Sequence, residues 1–277
     1  MRANPPLYSI TLMPLNLPIE RAGCVFRAAL GRASSRKKKT PKFGRHPMTK
    51  GDVSNSIGLS KYGAEAMAST EILQNLVVLE GLDGSGTTTQ MKLLAERCER
   101  EGVRCATTCE PSAGVIGALV RRVLKREIAL DPKALALLFA ADRTQHLAAS
   151  EEGMRALASD GRLVICDRYL FSSLAYQSID CGFEWVFDLN RDFPLPEMLI
   201  FLDVPPEECN RRMATRGGVE LFERIELQER IRSLYRRGIE ARSAAGMRTG
   251  WIDGVGAREE IHEKIWSFIG RKPIQKM

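Results

Sequence analysis

The segment GLDGSGTT, residues 81–88, has the glycine spacing that is typical of phosphate-binding loops. Gly81 and Gly86 have the usual separation, and Thr88 stands where such loops carry the hydroxyl that binds magnesium. Backbone N–H groups of the loop would surround phosphate oxygens, whereas a glycine turn without a ligand is the plain alternative. Thr87 replaces the usual lysine, so the charge of a transferring phosphoryl group would require another cation.

The segment DRY, residues 167–169, follows a short apolar run and offers a carboxylate and a guanidinium side by side. An acid at the end of a buried strand is costly unless it binds something, and magnesium through water is the natural partner for Asp167. Arg168 stands just beyond the strand, where its bidentate fork could grip a phosphate. We therefore expect Thr88 and Asp167 to serve a metal and Arg168 to serve an anion.

The segment FAADR places Phe139 and Arg143 four residues apart, so on a helix the ring and the guanidinium share one face. That geometry suits a planar base stacked on the ring, with the guanidinium at the edge of the base. The alternative is a core phenylalanine beside an exposed arginine, and these two residues alone favour that alternative.

The segment RRMATRGG, residues 211–218, sets Arg211, Arg212 and Arg216 just before a pair of glycines. This pattern is typical of a mobile lid that brings positive charge to a site when it closes. An ordinary solvated end of a helix is the alternative for the same cluster.

Short apolar runs that alternate with helical segments predict the elements that position these residues. Predicted strands cover residues 75–80, 104–110, 162–167, 198–204 and, more weakly, 250–254. Predicted helices cover the segment after the glycine loop up to Gly102, then residues 115–125, 131–159, 170–181, 206–215, 222–243 and 257–269. The pattern indicates an α/β fold, a doubly wound parallel five-stranded sheet flanked by helices. Ligands of such sheets bind at the carboxyl ends of the strands, where the motifs fall.

The formal net charge of +7 is concentrated at the start of the chain. Residues 1–70 hold 12 of the 41 Lys and Arg but three of the 34 Asp and Glu. The rest of the chain is slightly acidic, so it lacks the charge of a nucleic-acid-binding surface. Nucleic-acid binding is therefore expected, if anywhere, through the basic N-terminal segment.

Residues 1–70 also differ from the rest in pattern, with six prolines, a run of four basic residues at 36–39 and no sustained period. Three interpretations stay open: a disordered basic extension, a misplaced start with Met48 or Met67 as the true one, and a targeting peptide. The predicted domain boundary lies at residue 70, with a nucleotide-binding domain over residues 71–277.

Cysteine usage and apolar runs bear on the compartment. The seven cysteines form no CxxC pair, which indicates reduced thiols rather than a zinc site. The longest apolar run, from Ala134 to Ala141, is far shorter than the roughly 20 residues of a membrane-spanning helix. We therefore expect a cytoplasmic protein without a membrane segment.

Four motifs in order, the glycine loop, FAADR, DRYLFSSLAYQ and LIFLDVPPEE, give residues 71 to about 270 a strong resemblance to the thymidylate kinase family. The resemblance implies the P-loop nucleoside monophosphate kinase architecture. It also implies transfer of the γ-phosphoryl group of ATP, with Mg²⁺, to dTMP, which yields dTDP for dTTP synthesis. The expected partners are ATP, dTMP and a second copy of the chain in a homodimer.

The resemblance further implies roles for single residues. Asp83 matches the aspartate that binds the 3′-hydroxyl of the nucleotide sugar. Phe139 matches the residue that stacks on thymine, and Arg143 matches the one at the base edge. Arg168 matches the arginine that holds the acceptor phosphate, and Asp167 matches the acid near magnesium.

Three further residues, Ser173, Tyr176 and Gln177, fall where the family lines the base and sugar pocket. Tyr176 matches the residue that crowds out a ribose 2′-hydroxyl, although a core role for Tyr176 or Phe139 and a surface role for Ser173 are plain alternatives. The residues expected to bind ATP are Gly81, Leu82, Asp83, Gly84, Ser85, Gly86, Thr87 and Thr88.

The chain departs from the family pattern in its loop lysine. Some members carry a catalytic arginine inside the loop, where this chain has Gly84, and others carry it in the lid, an arrangement that Arg216 fits. The expected catalytic residues are therefore Arg168, Arg216 and Asp167. Two alternatives stay open: a nucleotide-binding pseudokinase, which Thr87 favours, and a kinase for another nucleoside or nucleotide.

Overall fold

The computed structural model describes residues 71–214 and 221–270. The expectations about residues 1–70 and about the lid arginine Arg216 lie outside these described residues. No helix within the described ranges combines the length and the apolar composition that crossing a bilayer requires.

The described strands form a parallel sheet in the order β2-β3-β1-β4-β5. They are β1 Ile72–Gly81, β2 Cys105–Cys109, β3 Leu163–Asp167, β4 Leu195–Asp203 and β5 Arg248–Asp253. The predicted α/β fold with five parallel strands is confirmed. Strands β1 and β4 begin earlier than predicted, because Ile72 pairs with Leu195 before a register shift that lies between Leu73 and Val77.

Helices cover both faces of the sheet. Before β4 they are α1 Thr87–Arg100, α2 Val115–Leu124, α3 Pro132–Ala148, α4 Met154–Ser159, α5 Leu170–Tyr176, α6 Ser178–Cys181 and α7 Phe183–Leu189. After β4 come α8 Pro206–Ala214, α9 Leu221–Arg242 and α10 Arg258–Ile269. The helix α7 has no counterpart among the predicted elements.

The long helix predicted over residues 131–159 is wrong in its middle. Its start is as expected, because the Asp131 side chain accepts hydrogen bonds from two backbone N–H groups of the first turn. The helix nevertheless stops at Ala148, and Ala149 adopts a non-helical backbone with ψ of 134°. The N–H of Gly153 donates to the carbonyl of Ala149 at 3.2 Å, and a Cβ at Gly153 would lie 2.3 Å from that oxygen. This tight turn requires glycine and separates α3 from α4.

The helix predicted over residues 170–181 is likewise divided, into α5 and α6. Gly182 then adopts a φ of 82° and directs the chain into α7. A positive φ of this kind is open to glycine at little cost, which explains the break after Cys181.

Two hydrophobic layers hold the sheet between the helices. Because successive side chains of a strand point to opposite faces, Leu76 and Val78 of β1 pack on one layer, and Val77 and Leu79 pack on the other. The first layer includes residues of α5 and α9, namely Leu170, Leu174, Ile231 and Tyr235. The second includes residues of α1 and α10, namely Leu94, Cys98, Ile261 and Ile265. Both layers leave the carboxyl edge of the sheet to polar side chains.

Candidate active site

The phosphate loop, residues 81–88, joins β1 to α1 at the carboxyl edge of the sheet. Gly84 and Gly86 have φ of 89° and 102°, a region that favours glycine. A Cβ at Gly81 would lie 2.4 Å from the Oγ of Ser85, and one at Gly84 would lie 2.6 Å from the carbonyl oxygen of Cys209 in α8. Close contacts therefore favour glycine at positions 81 and 84, and a positive φ favours it at positions 84 and 86.

The N-terminus of α1 is arranged for an anion. Gly86 caps the helix without a side-chain hydrogen bond, and the first turn contains no acidic residue. Unpaired N–H groups and the helix dipole together make such a terminus attractive to phosphate. Thr87, which replaces the lysine, is buried.

Thr88 and Asp167 meet next to this terminus. The Thr88 hydroxyl donates to Oδ2 of Asp167 at 2.5 Å, and Oδ1 of Asp167 is buried without a hydrogen-bond partner among the described residues. Hydroxyl and carboxylate oxygens are ligands that Mg²⁺ accepts, and Mg²⁺ often keeps several waters beside one or two protein ligands. The described residues contain no cluster of three or more acidic, histidine or cysteine ligands, so this pair fits a water-rich magnesium site rather than a closed cage.

Arg168 follows β3 with a φ of 70°, which turns its side chain toward the phosphate loop. Its Nη2 donates to Oδ1 of Asp83 at 2.7 Å, and its Nη1 donates to the carbonyl of Gly81 at 3.0 Å. The Tyr176 hydroxyl lies 3.4 Å from Nη1 and accepts from the N–H of Asp83 at 3.2 Å. Burial raises the pKa of Tyr176, so its hydroxyl keeps its proton. Arg168, Asp83 and Tyr176 thus form one unit.

Arg143 lies in a second polar cluster and is 1% exposed. Its Nε and Nη2 donate to Oε2 of Glu110 at 2.9 and 2.7 Å. Its Nη1 donates to Oδ1 of Asn190 at 2.5 Å, and its Nη2 also donates to Oγ of Ser173 at 3.1 Å. A guanidinium has five N–H donors, so these four contacts leave one hydrogen on Nη1. The alternative of an exposed arginine at this position is wrong.

Glu110 is held from two sides. Its Oε2 accepts from Arg143, while its Oε1 lies 3.3 Å from Nδ1 of His146. The Nε2 of His146 in turn lies 2.6 Å from the hydroxyl of Thr108 on β2. These contacts fix the carboxylate, which then fixes the orientation of the arginine.

The remaining pocket residues lie on or beside α3 and α5. Phe139 is half-buried one turn before Arg143, and Ser173 is buried beside the guanidinium. Gln177 follows α5 directly, and its Oε1 is buried without a hydrogen-bond partner among the described residues. Of the expected pocket residues, the structure brings Arg143 and Ser173 together, and it places Tyr176 with Arg168.

The predicted lid cluster divides where it is described. The Arg211 side chain is 73% exposed and pairs with Glu208. Arg212 instead reaches the phosphate loop, because its Nη1 donates to the carbonyl of Ser85 at 3.1 Å and its Nη2 donates to the carbonyl of Gly254 at 2.9 Å. Hydrogen bonds from the two arginines lower the pKa of Glu208 to about 2, so this carboxylate stays charged.

The sequence analysis did not predict several side chains of the site. They are Glu80, His146, Asn190 and Tyr235. Glu80 carried a usable signal, since an acid at the end of a buried strand is the same pattern that marked Asp167. Asn190 and Tyr235 carried no comparable signal, because each acts through a contact between distant parts of the chain.

Comparisons with known proteins agree with this architecture. The sequence model of the family described as thymidylate kinase matches residues 79–265. Three relatives have names that contain the words thymidylate kinase. A Treponema pallidum protein is 40% identical over 199 residues, 70% of this chain and 94% of the relative. A Pyrococcus horikoshii protein is 39% identical over 200 residues, with the same two shares. A Methanococcus aeolicus protein is 40% identical over 206 residues, 73% of this chain and 99% of the relative.

The family model spans more than half of the chain, and the relatives are covered almost throughout. The chain belongs to the thymidylate kinase family.

Proposed function

We propose that this protein transfers the γ-phosphoryl group of ATP to dTMP and so forms dTDP for dTTP synthesis. The observation that carries the proposal is the placement of Arg168, a cation held against the phosphate loop by Asp83 and the Gly81 carbonyl. An arginine so placed can align an acceptor phosphate with a donor bound on the loop. Family membership supports the same reaction.

On the donor side, the loop from Gly81 to Thr88 binds the ATP phosphates through backbone N–H groups and the N-terminus of α1. Thr88 and Asp167 serve magnesium, which would neutralise part of the charge on the ATP phosphates when it is bound. The Oδ1 of Asp167 has no hydrogen-bond partner among the described residues, which supports this assignment.

We define the acceptor pocket as Asp83, Phe139, Arg143, Arg168, Ser173, Tyr176 and Gln177. Phe139 stacks on thymine, and the remaining Nη1 hydrogen of Arg143 meets the base edge. Asp83 binds the 3′-hydroxyl, and Tyr176 excludes a ribose 2′-hydroxyl. The Tyr176 hydroxyl contacts the backbone of Asp83 and the side chain of Arg168, so Tyr176 lies beside the residues assigned to the sugar and the phosphate, which supports its role.

The acceptor is already an anionic phosphate, so the reaction needs no strong general base. Catalysis then consists of alignment, charge neutralisation and exclusion of water. Arg168 aligns the acceptor, Asp167 acts beside magnesium, and Arg216 closes over the transferring group as the cation that replaces the loop lysine. Arg212 supports the loop from outside through the Ser85 carbonyl.

The test is steady-state phosphoryl transfer from Mg-ATP to dTMP by the full chain, compared with Arg168→Ala and Thr87→Lys. We expect robust turnover that Arg168→Ala lowers by about 10²-fold or more, as for loss of a charge-stabilising donor. A panel of uridine, cytidine and guanosine monophosphates and thymidine should react poorly. Absent turnover with measurable binding of both nucleotides would contradict the proposal and favour a pseudokinase, and rescue by Thr87→Lys would locate the defect in the loop.

A homodimer and a cytoplasmic location complete the proposal. Val115, Leu130 and Leu137 on and near α2 and α3 are 90%, 38% and 51% exposed, an apolar surface that a second copy could cover. Sedimentation of the full chain at a monomer mass would contradict the dimer. No disulfide joins the described cysteines, as expected in a reducing compartment.

A further inference from the structure

One face of α9 contacts three parts of the site. Gln228, Arg232 and Tyr235 follow the spacing of a single helical face. Gln228 donates to the backbone carbonyl of Asp83 at 3.4 Å, and Arg232 pairs with Asp203 at the end of β4 at 2.7 Å. Tyr235 reaches the end of β3. The helix therefore touches the donor loop and the acceptor arginine at once.

The Tyr235 hydroxyl lies at the centre of this contact, and the residue is fully buried. It donates to Oε2 of Glu80 at 3.0 Å and accepts from Nη1 of Arg168 at 3.2 Å. The direction of the Arg168 bond is fixed, because a guanidinium can only donate, and the Tyr235 hydroxyl donates to Glu80 when that carboxylate is charged. The Oγ of Ser172 lies 2.8 Å from the same hydroxyl.

Glu80 connects this hydroxyl to the backbone that carries Arg168. Its Oε1 accepts from the N–H groups of Tyr169 and Ser172 at 2.8 and 3.1 Å. Tyr169 directly follows Arg168, whose φ is 70°, and Ser172 lies in the first turn of α5. The Glu80 carboxylate thus binds both the backbone that follows Arg168 and the Tyr235 hydroxyl that contacts the Arg168 guanidinium.

We infer that Tyr235 is a positioning residue that sets the guanidinium of Arg168 for the acceptor phosphate. This inference rests on the proposed function of Arg168. The described part of α9 begins at Leu221, shortly after the predicted lid arginine Arg216 in the sequence. Tyr235 consequently links the helix that follows the lid to the residue that receives dTMP.

A purely structural role for Tyr235 is the rival explanation. Its ring packs against Phe201 and Tyr176, with centroid distances of 5.1 and 6.0 Å. Tyr235→Phe keeps these contacts and removes the hydroxyl alone. Tyr169→Phe is the matched control, because Tyr169 is also fully buried and its hydroxyl donates to the carbonyl of Pro194 at 3.1 Å, away from the Arg168 side chain.

The experiment compares the full chain with both variants by steady-state kinetics, dTMP binding by calorimetry and thermal unfolding. Because the lost hydrogen bond joins a charged group, we expect Tyr235→Phe to lower kcat/KM for dTMP roughly tenfold and to weaken dTMP binding. The KM for ATP should change less than about twofold, and Tyr169→Phe should keep the wild-type dTMP kinetics.

A second arm places Tyr235→Phe in an Arg168→Lys background, since lysine cannot reproduce the planar fork of arginine. If Tyr235 acts through Arg168, removing its hydroxyl in this background should change the Kd for dTMP by less than about twofold. Unchanged kcat/KM in Tyr235→Phe, equal losses for ATP and dTMP, or fully additive losses in the double variant would overturn the inference. If the wild type shows no turnover, the proposed function fails, and the binding measurements still decide the role of Tyr235.

Discussion

The phosphate loop and the acceptor pocket are built from different chemical groups. The loop presents backbone N–H groups at the start of α1, and its glycines are required by contacts such as that between Gly84 and Cys209. The acceptor pocket instead depends on interlocked side chains, with Arg143 on Glu110 and Arg168 on Asp83. A site made of backbone tolerates the change of a side chain such as Thr87, whereas a site made of paired side chains depends on every partner.

Among the tests of this difference between loop and pocket, Arg143→Leu should have the largest effect. Removing this buried cation leaves Glu110, 3% exposed, as an uncompensated buried charge. We expect a loss of about 4 kcal/mol in the free energy of unfolding, measured by urea denaturation, together with loss of dTMP binding. The matched control is Arg155→Leu, which breaks the exposed pair with Glu71 and should cost less than about 1 kcal/mol. Similar losses of unfolding free energy in the two variants would show that the buried Arg143 pair is no more important for stability than an exposed pair.

The next largest effect should be the loss, in Glu80→Gln, of a pH dependence of roughly 3 kcal/mol in the free energy of unfolding. Burial raises the pKa of Glu80 to about 7, although hydrogen bonds from Ser172 and the positive charge of Arg168 act to lower it. Between the ordinary glutamate value of about 4.5 and pH 7 the folded state binds more protons than the unfolded state, so the stability contributed by protonated Glu80 is lost as pH rises. The free energy of unfolding should fall between pH 5 and pH 8 by roughly 3 kcal/mol more in the wild type than in the variant. Equal slopes would contradict this expectation.

The third prediction concerns the missing lysine. If Arg216 supplies the charge that the loop lacks, Arg216→Ala should lower kcat by about 10²-fold in this chain. In a Thr87→Lys background the same change should cost only about tenfold, because the lysine would share the stabilisation of the transferring group. The comparison needs only steady-state kcat at saturating ATP and dTMP. Equal losses in the two backgrounds would show that the lid arginine does not substitute for the lysine.

The sequence was sufficient for features that depend on local pattern. The strand and glycine loop before α1 follow from β-branched residues and glycine spacing, and Asp131 predicts the start of α3 correctly. The break at Ala149 was missed, because an apparently helical pattern continues across a turn that only the close approach at Gly153 requires. Contacts between side chains were the least predictable part, since Asn190, which binds Arg143, directly follows α7, a helix without a clear periodic signal in the sequence.

The contact between Gly84 and α8 constrains how the loop can evolve. Gly84 has a φ of 89°, and any Cβ there would lie 2.6 Å from the backbone oxygen of Cys209. An arginine at position 84 would therefore force α8 away from the loop and disturb the Arg212 contact to Ser85. The packing of α8 against the loop thus leaves no room for a side chain at position 84, which favours a catalytic arginine elsewhere, as proposed for Arg216.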